Sequence, residues 1–390
     1  MKLNSIFIFA AALLNFACST TPPVTPLAAH VLWHDSNFEY KASDVVETKE
    51  MLFTLDSELS AALAAKSHQT MSIDRRLEYL ASILFRNDGI RITYTAGHST
   101  GAAETWQKKR GDCLSLTLLT YAAAKALSID ANMQEVRVPV AVDRRGGVDF
   151  VSGHVNVFVQ NTSPLTLNGR SFGAGGIIID FEPQIGSRQH GQYLSDDQIV
   201  ARFYNNRAAE FLTTHNDKKA YAYFKAALLA DPNFAPAYAN LAQLYERRGM
   251  TNAAEELLHH ALALNNRADA PLRSLHKLLV AQGRSIEADA VALKLRKHDD
   301  EDPYFWLGIG IDHLKSNRYS KAIEALEQAE SLTTGFEEIH RYLAIAYWRN
   351  GQQKLADKAL ATLVAMQTDD QLVKALSRKI GRSPREISVQ

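Results

Sequence analysis

The chain has 390 residues, 46% of them hydrophobic and 22% charged, a balance that fits folded domains and excludes wholesale disorder. Lys plus Arg and Asp plus Glu stand at 43 each, so no bulk positive charge points to nucleic acid or to electrostatic docking on membranes. Two cysteines, Cys18 and Cys113, exclude a disulfide-stapled scaffold and an all-cysteine metal site, and the length predicts two domains.

Lys2 and an apolar run from Ile6 to Leu14 open the chain; a bilayer-spanning helix needs about 20 apolar residues, so this run is too short. Ala17-Cys18 closes it, and Ser19-Thr20-Thr21-Pro22-Pro23 cannot continue a helix. Residues 1–18 resemble a bacterial lipoprotein signal. That resemblance implies acylation of Cys18, a membrane anchor, and residence on the periplasmic face of a bacterial cell envelope. Ser19 after the cysteine implies sorting to the outer membrane. Ordinary cleavage near Ala28 is the alternative, and residues 19–44 are expected as a tether. Acylation of Cys18 would leave Cys113 without a partner in an oxidising compartment, where a lone thiol must be buried or useful.

Residues 45–195 are expected to form an α+β domain. Asp74 to Phe85 has helical apolar spacing, and Leu114 to Leu127 is an almost wholly apolar helix. The period then changes to two. Val136, Val138, Val140 and Val142 alternate along one predicted strand, Val155, Val157 and Val159 along a second, and Gly176 to Phe181 forms a third. Cys113 stands where a glycine-marked turn opens the buried helix, with Asp112 as its cap. Backbone N–H groups there favour thiolate, so a lowered thiol pKa and a nucleophilic role are expected. His154 lies on the strand face opposite the valines and is the candidate base. Asp180, flanked by isoleucines and Phe181, needs a partner, and holding the imidazole N–H supplies one; Asp143, Asp149 and Glu182 are the alternatives.

The order Cys113, His154, Asp180, with Gly-Asp-Cys opening a helix and the other two on successive strands, resembles the transglutaminase-like superfamily over roughly residues 70–185. The resemblance implies a papain-like fold and a Cys–His–Asp triad. It further implies attack of Cys113 on an amide carbonyl, a thioester, and release to water (peptidase or amidase) or to an amine (crosslinking). The Cys113 N–H, Gln107, Trp106 and Tyr94 are candidates for the oxyanion donors. No cofactor is expected, and His259-His260 lacks metal-ligand spacing, so no metal site is expected either.

From residue 201 a helix-pair pattern recurs every 34 residues. Large residues fall at Tyr204, Tyr238, Leu272, Trp306 and His340, and small ones four places on at Ala208, Ala242, Gly310 and Ala344, with His276 in the third slot. Ala220, Ala254, Ala288, Ala322 and Ala356 mark the second helix of each pair. Small residues let antiparallel helices approach while large ones fill the gaps between pairs. The pattern resembles the tetratricopeptide repeat, with five copies over 201–370 and a capping helix and tail over 371–390. It implies an all-α solenoid with a groove for a protein or peptide partner, in which Arg273, Lys277, Arg341 and Arg349 would make a basic lining. Three functions remain open: an envelope-anchored thiol hydrolase with recruiting repeats, a non-catalytic lipoprotein scaffold, and a crosslinking transglutaminase.

Overall fold

A computed structural model describes residues 24–64, 71–85, 92–95, 97–136, 142–145, 148–151, 154–160, 165–167, 170–172, 176–181, 191–265, 269–333 and 337–365, with 376 and 378. Cys18 and the signal run lie outside these residues. So does all of the expected capping helix and tail except Leu376 and Arg378. Among the described residues, no helix is long and apolar enough to cross a membrane.

Short helices α1 (Ala29–Leu32), α2 (Lys49–Phe53), α3 (Ser57–Leu63) and α4 (Ile73–Phe85) precede a two-residue strand, β1 (Thr93–Tyr94). Helix α5 (Ala102–Lys108) and strand β2 (Arg110–Gly111) then lead into α6 (Cys113–Ala126), the helix expected from the apolar run. Strands β3 (Ala131–Val136), β4 (Val142–Arg145), β5 (Val148–Val151), β6 (His154–Val159), β7 (Leu165–Leu167), β8 (Arg170–Phe172), β9 (Ile177–Ile179) and β10 (Gln192–Tyr193) follow. Among the described residues the main sheet has four strands in the order β10-β3-β6-β9, all antiparallel; the other strands pair two by two. Helices followed by an antiparallel sheet match the expected α+β order, although the sheets are small. Of the strand expected at 136–142, residues 137–141 lie outside the described residues, Val136 ends β3 and Val142 opens β4; residues 131–135 extend β3 where the sequence showed no alternation. Polar Gln134 hides that strand from a hydropathy reading, yet it is fully buried because its amide bonds Asn156 on β6 at 2.9 Å.

Five antiparallel helix pairs make the second half. They are α7 (Asp196–Thr213) with α8 (Asp217–Ala230), α9 (Ala235–Arg247) with α10 (Thr251–Leu264), α11 (Asp269–Ala281) with α12 (Ser285–Glu301), α13 (Pro303–Lys315) with α14 (Tyr319–Leu332), and α15 (Glu337–Arg349) with α16 (Gln353–Ala365). The small-residue slots behave as packing physics requires. Ala208 is fully buried, and a Cβ on Gly310 would stand 2.6 Å from Leu326 Cγ. The third pair is looser. With His276 in the small slot, Val280, Ile286 and Leu293 are left exposed, and the apolar core divides here. One core runs from Phe38, Leu114 and Val155 through the repeats to Leu295, and a separate one spans Tyr304 to Leu376.

The described part of the expected tether, residues 24–44, is packed structure. Phe38 is buried and stacks on Tyr221 of α8 at 4.4 Å between ring centroids and on Tyr245 of α9 at 5.8 Å. The Tyr221 hydroxyl donates to Asp35 at 2.7 Å and accepts the His34 N–H at 2.9 Å, while Tyr245 donates to the Leu32 carbonyl at 2.7 Å. Lys225 bonds both Asp35 oxygens, at 2.7 and 2.8 Å. The aromatic residues of this segment have an apolar face of the repeats to cover, which is why it packs rather than trails as a tether.

Candidate active site

Asp112 caps α6 as expected, its Oδ1 accepting the Ser115 N–H at 2.8 Å and the Ser115 hydroxyl at 2.6 Å. The chain turns tightly here: a Cβ on Gly111 would lie 2.7 Å from Ser115 Cβ, so the turn requires glycine. Cys113 thus occupies the first helical position, partly buried, as a free thiol. The backbone N–H of Val155, the residue after His154, lies close enough to the thiol to favour its charged form. The Thr117 hydroxyl, one helical turn along, donates to the Val155 carbonyl at 3.2 Å, so α6 is clamped to β6 beside the histidine.

His154 begins β6 and is buried. Its Nε2–H donates to Asp180 Oδ2 at 2.7 Å, with Asp180 just past the end of β9. Asn156 Nδ2 donates to the same oxygen at 3.2 Å, and Gln134 Nε2 donates to Asn156 Oδ1 at 2.9 Å. A chain of amides therefore fixes the carboxylate, and the carboxylate fixes the ring. With Nε2 committed to Asp180, only Nδ1 of His154 is left to take a proton. The sequence pairing of His154 with Asp180 is thus present as a contact. Asp143 and Asp149 lie on β4 and β5, and Glu182 lies outside the described residues.

The expected lowering of the thiol pKa is not what the structure holds. Burial pushes Cys113 up to about 12, and the negative charges of Asp112 and Asp180 add to it, while the N–H groups of Val155 and Leu114 pull the other way. Desolvation of a thiolate outweighs the partial charge of one helix start. The thiol is therefore protonated at rest, and a nucleophile arises only if a base removes the proton.

Two of the side-chain oxyanion candidates are engaged with other groups. Gln107 Nε2 donates to Asp56 Oδ2 at 2.8 Å, and the Trp106 ring lies under the Lys109 ammonium, 2.9 Å from its centroid. Tyr94 is exposed on β1, paired in register with Gly111. The Cys113 N–H, at an open helix start, keeps its place as a donor.

Residues that the sequence did not flag complete the site from behind. The Ser99 hydroxyl donates to Asp112 Oδ2 at 2.5 Å, and Ser115 Oγ accepts the Thr100 N–H at 2.8 Å. Arg202 of α7 meets Glu135 of β3 through two N–H donors, at 3.1 and 2.6 Å. These residues have no motif; only their burial or long-range pairing marks them.

The four basic residues expected to line the repeat groove fall into two groups. Arg273 bonds Asp299 at 3.3 Å, beside the carboxylates of Asp269, Asp300 and Asp302. Lys277 is exposed; Arg341 and Arg349 stack over Tyr342 and Trp348, each 4.9 Å from the ring centroid, beyond the break in the core. Among the described residues no group of three or more His, Cys, Asp or Glu could hold a metal ion.

Comparison with known proteins bears on the second half. Residues 235–267 and 313–380 each match a tetratricopeptide-repeat family, so over those stretches the 34-residue period marks tetratricopeptide repeats. Among solved structures the chain is similar to PilF of Pseudomonas aeruginosa, with 19% identity over 48% of this chain and 85% of that one, at a TM-score of 0.26. It is also similar to MamA, with 20% identity over 46% of this chain and 93% of that one and a TM-score of 0.24. YrrB, described as a repeat protein with an unusual peptide-binding site, shows 17% identity over 46% and 92%, also at 0.24. No curated protein matches the chain.

Proposed function

We propose that this protein is a transglutaminase-like thiol hydrolase of the bacterial envelope, anchored through acylated Cys18 on the periplasmic face of the outer membrane. Its repeats engage a protein partner or the substrate. One observation carries the catalytic reading: the 2.7 Å bond from His154 Nε2 to Asp180, at the start of the strand that the Cys113 helix grips through Thr117 and the Val155 carbonyl. The bond sets the tautomer, leaving Nδ1 as the proton acceptor.

The reaction follows from these groups. As an amide carbonyl reaches Cys113, the thiol proton passes to His154 Nδ1 and the sulfur adds to the carbonyl carbon. Charge growing on the carbonyl oxygen meets the N–H at the start of α6. His154, its positive charge balanced by Asp180, returns the proton to the departing amine as the C–N bond breaks, leaving a thioester. Water, deprotonated by the same imidazole, releases the acid and restores the thiol. Hydrolysis is favoured over crosslinking by the resemblance.

Release of amine from envelope peptide fractions by wild-type protein, lost in Cys113→Ala and in His154→Ala, is the expected result. Incorporation of an added amine without hydrolysis would make the protein a crosslinking enzyme instead. A second reading draws support from the raised thiol pKa: a non-catalytic adaptor, in which Cys113→Ala changes neither partner capture nor cellular phenotype.

A further inference from the structure

Helix α7 opens the repeat array, and its side chains meet the other domain directly behind Cys113. Asn206 Nδ2 donates to Ser99 Oγ at 3.2 Å, and Glu210 Oε1, one helical turn on, accepts the Ser99 backbone N–H at 2.9 Å. His98 Nδ1 bonds Glu210 Oε2 at 2.8 Å, and Arg207 pairs with the same oxygen, so the carboxylate is held from both sides. Ser99 in turn donates to Asp112, the cap of the Cys113 helix, at 2.5 Å. Both Ser99 and Asp112 are buried, at 2% and 8% exposure. Three links thus join the first repeat to the residue before the sulfur.

We propose that Asn206 and Glu210 of the first repeat are positioning residues for the thiol, acting through Ser99 on Asp112. This inference rests on the reading of Cys113 as the nucleophile. Asp112 is a carboxylate one residue from the sulfur, and it is held by three hydrogen-bond donors. A donor aimed at a carboxylate spreads its charge and lowers its repulsion of a thiolate nearby. The carboxylates that act on the sulfur are Asp112 on its own turn and Asp180 beyond β9, the latter bonded to His154 on β6. Of these, Asp112 is the one a repeat helix reaches. A change in the pose of α7 on binding a partner therefore reaches the residue next to the reactive sulfur. Arg202, from the preceding turn of α7, ties the same helix to β3 through Glu135, so the first repeat is built into this domain.

The test is alkylation of Cys113 by iodoacetamide in the full-length protein at pH 9, followed by intact mass. Ser99→Ala leaves Asp112 with one donor fewer; labelling slows by about threefold or more, equivalent to roughly half a pKa unit. Asn206→Ala slows labelling in the same direction by less, and the double variant is no slower than Ser99→Ala alone, because Asn206 acts through Ser99. Asn206 is only partly buried, so its variant keeps the test informative if Ser99→Ala does not fold. A purely structural role gives the opposite sign, since loosening the turn exposes the thiol and speeds labelling. Unchanged or faster labelling in both variants, or additive effects in the double, overturns the proposal. Failure of the catalytic reading has a different signature: labelling slows as stated, yet wild-type protein forms no acyl adduct on Cys113.

Discussion

A thiol held at a pKa of about 12 has a measurable consequence that separates it from an ordinary cysteine. At pH 7 its thiolate fraction is about 10⁻⁵, against about 3% for a free cysteine with a pKa near 8.5. Iodoacetamide should therefore modify resting Cys113 about a hundred times more slowly than it modifies a cysteine peptide, the scarcity of thiolate being offset in part by its greater intrinsic nucleophilicity. The rate should climb tenfold per pH unit and show no plateau below pH 10, whereas the peptide levels off above its own pKa. Asp180→Asn removes one of the charges that hold the thiol up, so it should label faster than wild type at pH 8. The same variant should lose turnover, because the imidazole is no longer oriented. Opposite movement of resting reactivity and catalysis is the signature of a protonated nucleophile activated by a base. A plateau near pH 6 would show a standing thiolate–imidazolium pair and refute the reasoning from burial.

Other consequences concern the scaffold. Phe38→Ala should destabilise the protein by about 3–4 kcal/mol in chemical denaturation, since a buried ring stacked on Tyr221 is lost; a change under 1 kcal/mol would show that residues 24–44 are a loose tether after all. Gly111→Ala should cost about 1–3 kcal/mol because the new methyl meets Ser115. Arg202→Ala should cost about 1–3 kcal/mol by stripping two donors from half-buried Glu135; wild-type stability would mean that the repeat and the sheet are not coupled there. Burial on Tyr238 holds the pKa of His260 below the usual imidazole value. A depressed histidine contributes stability above its unfolded value of about 6.5 and loses it as pH falls, so Tm should drop below pH 6.5, and less steeply in His260→Phe.

The parts most legible in the sequence were those written in a period or in chain chemistry. The 34-residue recurrence placed all five helix pairs, and degenerate His276 marked the repeat that leaves Val280, Ile286 and Leu293 exposed. Gly111-Asp112-Cys113 announced a capped helix start, and an aspartate among isoleucines announced a partner, which is His154. What stayed hidden depends on distance along the chain. Ser99 and Asn206 are ordinary polar residues until folding brings them together across 107 positions. Strand β3 was obscured because Gln134 is buried by its hydrogen bonds rather than by its hydropathy. The thiol pKa went astray for an energetic reason: a helix start is visible in sequence, but the depth at which it is buried is not, and here desolvation is the larger effect.

The central claim is that Cys113 carries an acyl group during the reaction, with His154 and Asp180 as its base and orienting group. Intact-mass analysis of the full-length protein, quenched in acid after exposure to envelope peptide fractions, tests it most directly. The account predicts a hydroxylamine-labile adduct on Cys113 in wild type, absent in Cys113→Ala and strongly reduced in His154→Ala and Asp180→Asn. An unmodified sulfur in wild-type protein beside ongoing amine release, or an adduct that forms equally well without His154, would contradict it.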